Sequence, residues 1–201
     1  EGGCATWKHI DGIDDGELYH LYQLYSLHGQ SKDALAKTKA GAWEYDIVGP
    51  WYKCNMTDIM AAIGLVQLKR YPSLIQRRYE IVKKYDEAMD AMHIEHIQHV
   101  SDVYHSSAHL YMIRIPDISV EQRNEIITRM AENGVATNVH YKPLPMMSGY
   151  KAYGWDIKDF PNAYHLYHNE ITLPLHTLLS DEDVEIVIQT LRSTLEEMKL
   201  L

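Results

Sequence analysis

The side chains best suited to chemistry fall in two short stretches. The first is Lys53-Cys54-Asn55, which ends two residues ahead of Thr57-Asp58. Thr57 is a favoured helix N-cap, and Asp58 places negative charge in a first turn, where the helix dipole favours it. A lysine ammonium and an amide donor held beside a helix N-terminus suit an anion such as a phosphate. The same pattern also fits a capped core helix that follows a surface loop. Cys54 is a nucleophile by type, but nothing near it in sequence reads as its base. The second stretch is His140-Tyr141-Lys142-Pro143. It reads as a strand end entering a proline-broken loop, a usual place for a binding residue. A loop held by tyrosine packing explains it equally well.

The twelve histidines invite a metal hypothesis. His93, His96 and His99 recur at every third position. Neither an extended nor a helical backbone brings all three to one point, and no Cys or carboxylate stands at a ligand spacing, so no metal site is expected. His165 and His168 lie three apart on a predicted helix and could share a ligand, but they read first as surface histidines.

The elements that must position these residues are legible in outline. Residues 57–70 predict a helix with Ile59, Ile63 and Val66 as an apolar stripe. Gly64 costs about 1 kcal/mol there relative to Ala, which predicts a close neighbour at that point. Tyr71-Pro72 is expected to end this helix and start another that runs to about residue 92, since proline suits a first turn. Its basic cluster, which includes Arg77, Arg78 and Lys84, reads as a solvated face. Ahead of these, residues 4–7 read as a short strand. Residues 13–28 read as a helix capped at Asp14 or Asp15, with Leu18, Leu21, Tyr22 and Tyr25 on one face and Gly29 closing it. Residues 30–54 lack periodicity yet carry Trp43, Tyr45, Trp51 and Tyr52, which fits either a mobile surface loop or a functional or partner-covered one, four large aromatics being many to leave in water.

Beyond residue 92, strands are predicted over 109–115, 135–141 and 171–174. Helices are predicted from the Ser119 cap, over 160–169, and from the Ser180 cap, with Val184, Val187, Ile188, Leu191 and Leu195 inward. This order implies an α/β fold, a small sheet with helices on one face. The expected organisation is a first region over 1–71, a connecting helix over 72–92 and a small α/β domain over 93–201.

Composition excludes several function classes. A formal charge of −9 on 201 residues leaves no Lys/Arg excess for a nucleic-acid surface. Apolar runs are far shorter than a membrane span. Two cysteines, Cys4 and Cys54, make no disulfide framework, so a reduced, cytoplasmic protein is the default. Fifteen Tyr against one Phe imply many half-wet rings whose hydroxyls find partners.

The stretch YKCNMTDIMAAIGLVQLKR resembles a segment of the DegT/DnrJ/EryC1/StrS sugar aminotransferases, which are fold-type-I enzymes dependent on pyridoxal phosphate. EGGCATW, LYSLHGQSKD, HLYMIRI, GVATNVHYKPLP and ITLPLHTLLSDEDVEIVI resemble further family segments in the same order, so the likeness covers nearly the whole chain. The resemblance implies the C-terminal piece of such an enzyme: one strand and the interface loop of the large domain, then the small α/β domain. It implies a homodimer with the active site between subunits. Asn55, with Lys53, would meet the phosphate of the partner's pyridoxal phosphate, and His140 and Tyr141 would face the nucleotide-sugar. The implied reaction moves an amino group from an amino-acid donor to a nucleotide-linked keto-sugar, for polysaccharide or glycan biosynthesis. The lysine that binds the cofactor covalently is expected upstream of Glu1, so no catalytic residue is assigned within the chain and the fragment alone is expected to be inactive. Pro145 stands where the family usually has histidine, which puts one substrate contact in doubt. Two other readings stand beside this one. A related sugar dehydratase differs at the missing lysine position. A free-standing interaction domain predicts no exposed apolar face, whereas the aminotransferase reading predicts that helices 13–28 and 57–70 lack packing partners.

Overall fold

The computed structural model describes residues 2–31 and 44–201, and its chain divides into two compact units, Glu1–Arg70 and Tyr71–Leu201. Trp43 and the front of the predicted aromatic loop lie outside the described residues.

In the first unit, helix α1 spans Asp15–Ser26. Asp14 caps it by accepting the Glu17 N–H at 3.0 Å, which satisfies one of the orphan donors of the first turn. Leu24 is the buried residue of this helix, with Leu18 and Leu21 half-buried. Tyr22 and Tyr25 are exposed rather than inward, and they meet other rings instead. Trp7 stacks on Tyr22 at 5.0 Å, and Trp51 lies 4.4 Å from Tyr25. The predicted strand over 4–7 does not form, because no neighbouring strand among the described residues offers it a hydrogen-bond ladder. Gly29 turns the chain with φ +75°, and a Cβ there would fall 2.1 Å from the Gly49 carbonyl oxygen, so only glycine allows this close approach.

Helix α2 spans Asp58–Ala91 without a break, and Pro72 lies inside it. The expected helix end at Tyr71-Pro72 is therefore overturned. Proline removes one backbone bond and crowds the carbonyl four residues back. Burial of Ile81, Val82, Tyr85 and Met89 further along secures the helix beyond Pro72. The predicted stripe of the first part is exposed instead: Ile59 is 76%, Ile63 52% and Val66 55% open to solvent. Among the described residues, Gly64 has no neighbour within 4 Å of a built Cβ, so the predicted close contact is not found there. Among the described residues, the start of α2 thus carries an open apolar face, as the aminotransferase reading predicts, whereas the α1 face meets Trp7 and Trp51.

The second unit holds the core. Strands β1 (Glu95–His96), β2 (Tyr111–Arg114) and β3 (Glu170–Leu173) form an antiparallel sheet in that order. Tyr111 pairs with Leu173 and Ile113 with Ile171. Because side chains alternate along a strand, these four share one face. They pack there with Ile126 and Met130 of α3 (Val120–Glu132) and Leu191 and Leu195 of α6 (Asp181–Glu197). Ser119 and Ser180 each form a capping box, with Gln122 and Asp183. Gly134, at φ +83°, follows the end of α3. Between α3 and β3 lie a 3₁₀ turn (Leu144–Met146), α4 (Ser148–Lys151), a second 3₁₀ turn (Ile157–Asp159) and α5 (Pro161–Tyr167). Residues 135–141 are not a strand. Their backbone pairs with that of the sheet at Asn138 and Thr172.

The expected solvated basic face of α2 is also corrected. The Arg77 guanidinium donates to the Leu179 carbonyl at 2.7 Å and pairs with Asp181 at 2.9 Å. Arg78 donates to the Ala108 carbonyl at 2.8 Å. Both arginines fasten loops to α2, a role that depends on residues about 30 and 100 positions away.

Candidate functional site

The Lys53–Asn55 stretch is held by α1. The His28 N–H donates to the Tyr52 carbonyl at 2.6 Å, and the Cys54 N–H to the Ser26 carbonyl at 2.9 Å. Leu27 and Lys53 face each other as an antiparallel pair. These bonds pin the backbone while both functional side chains stay exposed. The Lys53 ammonium donates to Asn55 Oδ1, so the two N–H donors of the Asn55 amide remain available. Thr57 Oγ1 accepts the Met60 N–H at 3.4 Å, a long cap that begins α2 beside them. A cation, an amide and a helix N-terminus brought together form a donor set that fits a phosphate. Asp58 in the same first turn opposes it by one charge. Cys54 is exposed, and among the described residues no hydrogen bond or ion pair gives it a base.

In the second unit the alternation that sends Tyr111 and Ile113 to the core sends Met112, Arg114, Glu170 and Thr172 to the opposite face. A cleft of about 400 Å³ opens there, lined by His96, Met112, Arg114, His140 and Glu170 among others. Arg114 is held in place by Glu95 at 3.2 Å, Asn169 Oδ1 at 3.1 Å and the His165 carbonyl at 3.1 Å. His165 is thereby committed to Arg114, and His168 Nδ1 bonds to the His165 carbonyl at 2.8 Å. His96 Nε2 lies 3.1 Å from Asp90. Its Nδ1 approaches Asp86 to 3.1 Å without hydrogen-bond geometry. His99 is buried, bonds to Ser106 Oγ at 2.7 Å and stacks on Tyr111. His93, His96 and His99 do not converge. Among the described residues, no group of three or more His, Cys, Asp or Glu could hold a metal ion.

His140 sits at the edge of this cleft, half-buried, with the Tyr141 ring packed edge-on at 4.7 Å and itself 70% exposed. Its backbone N–H donates to Glu170 Oε2 at 2.9 Å. Its Nδ1 lies 2.8 Å from Thr172 Oγ1, and that hydroxyl donates to Glu170 Oε1 at 2.5 Å. Glu170 is only 4% exposed. Burial raises its carboxyl above the ordinary range, while the Thr172 hydroxyl, the His140 N–H and Arg123 pull it back. Arg123 is buried at 2% exposure, donates to the Tyr167 and Glu170 carbonyls at 3.2 Å each, and lies 4.8 Å over the Tyr167 ring. Sequence reasoning singled out His140 and Tyr141 but did not reach Glu170, Thr172 and Arg123, which the structure brings together behind His140. The available signal was a carboxylate opening an otherwise apolar strand, 30 residues from the histidine that it serves.

Residues 12–192 match the sequence profile of the DegT/DnrJ/EryC1/StrS aminotransferase family. The chain belongs to this family. It is 36% identical over 196 residues to the spore coat polysaccharide biosynthesis protein SpsC of Bacillus subtilis, covering 96% of this chain and 49% of that protein. It is 30% identical to a UDP-4-amino-4,6-dideoxy-N-acetyl-beta-L-altrosamine transaminase of Campylobacter jejuni, over 99% of this chain and 49% of that one. Among solved structures it resembles Spr1654 of Streptococcus pneumoniae, assigned as a sugar aminotransferase, in its PMP-form. That likeness has a TM-score of 0.88 and 54% identity, over 98% of this chain and 49% of the other. The chain thus spans about half the length of the curated relatives it matches. The fold-type-I assignment and the small α/β sheet expected from the sequence agree with this membership. Among the described residues, no helix is long and apolar enough to cross a membrane.

Proposed function

We propose that this chain is the C-terminal part of a pyridoxal-phosphate-dependent aminotransferase that converts a nucleotide-linked keto-sugar to an amino-sugar. The observation that carries the reading is the exposed Asn55 amide, oriented by Lys53 beside the start of α2. Its oxygen is taken by Lys53 and the side chain is exposed, which leaves its N–H donors free for a phosphate held by a second subunit. The assembly is a cytoplasmic homodimer, and the exposed apolar stripe of Ile59, Ile63 and Val66 supports a covering partner. Relatives with PLP-form and PMP-form structures support the cofactor.

When bound, the cofactor supplies the electron sink for amino transfer. The chain's own residues bind and orient. Asn55 and Lys53 would hold the cofactor's phosphate through the amide N–H donors and the ammonium. His140 and Tyr141, at the mouth of the cleft, hold the sugar end of the substrate. None of the chain's lysines stands where the resemblance places the catalytic one, so the 201 residues alone do not turn over.

The test joins this chain to the front half of the Streptococcus pneumoniae relative. The chimera is expected to bind pyridoxal phosphate and to consume a keto-sugar nucleotide with glutamate, whereas the chain alone does neither. In the chimera, Asn55→Ala is expected to weaken cofactor binding by about 10- to 100-fold, as one hydrogen bond to a charged group of about 1.5–3 kcal/mol implies. An Asn55→Ala chimera with undiminished cofactor affinity refutes the assignment.

A further inference from the structure

The His140 imidazole is polarised from both ends by groups outside the proposed phosphate and substrate contacts. At Nδ1, the hydroxyl of Thr172 stands 2.8 Å away and also contacts Glu170 Oε1 at 2.5 Å. A threonine hydroxyl has one hydrogen to give. Above the raised range in which the Glu170 carboxyl titrates, it is ionised and can only accept, so that hydrogen goes to Glu170. The hydroxyl oxygen must then accept from Nδ1–H. Turning the hydroxyl toward His140 instead would set two oxygens against each other at 2.5 Å with nothing between them. At the other end, Asn138 Oδ1 accepts the Val139 N–H at 2.8 Å, which fixes the amide orientation. The Asn138 NH₂ therefore faces His140 Nε2 at 3.5 Å, a long contact from donor to lone pair. Two independent constraints thus select the same tautomer.

We propose that Glu170, acting through Thr172, is a positioning residue that keeps the His140 proton on Nδ1 and leaves Nε2 as the acceptor of this cleft-lining residue, its lone pair met only by the long Asn138 contact, which a substrate donor would replace. The group that His140 takes is therefore a donor, such as a sugar-ring hydroxyl. A phosphate oxygen or a keto oxygen there would meet Nε2 lone pair to lone pair. This rests on the reading that the cleft side of His140 faces the sugar substrate. The bias toward Nδ1–H is on the order of tenfold or more, the strength of one charge-assisted bond.

The tautomer is measured on the 201-residue chain without substrate or cofactor, by long-range proton–nitrogen NMR of ¹⁵N-histidine protein at pH 8, with His140→Asn identifying the resonance. The wild type is expected to show a protonated Nδ1 and a bare Nε2. Glu170→Gln is expected to exchange them. Its amide oxygen would accept the His140 N–H and its NH₂ would donate to Thr172, whose hydroxyl then points at Nδ1. Thr172→Ser is expected to keep the wild-type pattern. It also guards against reading misfolding as a lost relay, as do unchanged His99 signals. A wild type protonated at Nε2, or a Glu170→Gln protein with an unaltered tautomer, overturns the proposal. In the chimera, Glu170→Gln is expected to raise KM for the sugar nucleotide about tenfold and to leave cofactor affinity alone. An unchanged KM overturns the hydroxyl assignment, and neither result bears on the Asn55 test.

Discussion

Replacing Arg123 with methionine tests how the core positions the cleft. The guanidinium is 2% exposed, donates through Nε to the neighbouring Asn124 Oδ1 at 2.8 Å, and reaches two backbone carbonyls, those of Tyr167 and Glu170, at 3.2 Å each. The second belongs to the residue whose carboxylate organises His140. Each bond from a charged donor contributes about 1.5–3 kcal/mol net, toward the lower end at this length. The approach to the Tyr167 ring at 4.8 Å adds about 1 kcal/mol. Against this stands the desolvation of a guanidinium with no carboxylate among its hydrogen-bond partners, a cost of several kcal/mol that methionine does not incur. Methionine keeps most of the stem packing but leaves both carbonyls short of a donor. The balance predicts a loss of about 2–3 kcal/mol. That corresponds to a fall in Tm on the order of 10 °C for a domain of this size. Urea denaturation followed by circular dichroism measures it, and amide exchange across Glu170–Leu173 is expected to quicken. A methionine variant as stable as wild type would mean that desolvation cancels the bonds. Arg123 would then contribute nothing net to holding β3.

Two further outcomes follow from the fold. Pro72→Ala restores a backbone bond inside α2 and is expected to stabilise the chain by up to about 3 kcal/mol in urea, whereas a loss of stability would show that the ring is packed to advantage. Burial lowers the pKa of His99 below its ordinary 6.5. The unfolded chain therefore binds this proton first, and stability present above pH 6.5 is lost as pH falls toward the folded-state value. The wild-type Tm is expected to drop across that window, and His99→Gln, which cannot titrate, is expected to flatten the slope. An unchanged slope would remove His99 as the cause.

The sequence by itself determined what local chemistry controls. The capping boxes at Ser119 and Ser180 and the inward residues of the last helix follow from spacing within a few positions. So does the stop at Asn133-Gly134, where φ +83° suits glycine alone. The ordered family segments carried the membership, and Asn55 and His140 were legible because each adjoins an element boundary. Tertiary structure decided the rest. Pro72 reads as a boundary locally, yet α2 continues because Ile81, Tyr85 and Met89 bury into a core built from residues up to about 110 positions away. Ile59 and Ile63 read as an apolar stripe, yet among the described residues they stay exposed. Glu170 and Thr172 reach His140 only because strand pairing sets the face of β3 and the Asn138–Thr172 contact brings the 135–141 segment to it. Spacing along a chain encodes which side of an element a residue occupies. Which other element meets that side is settled by packing, and a proton's place on His140 depends on that meeting.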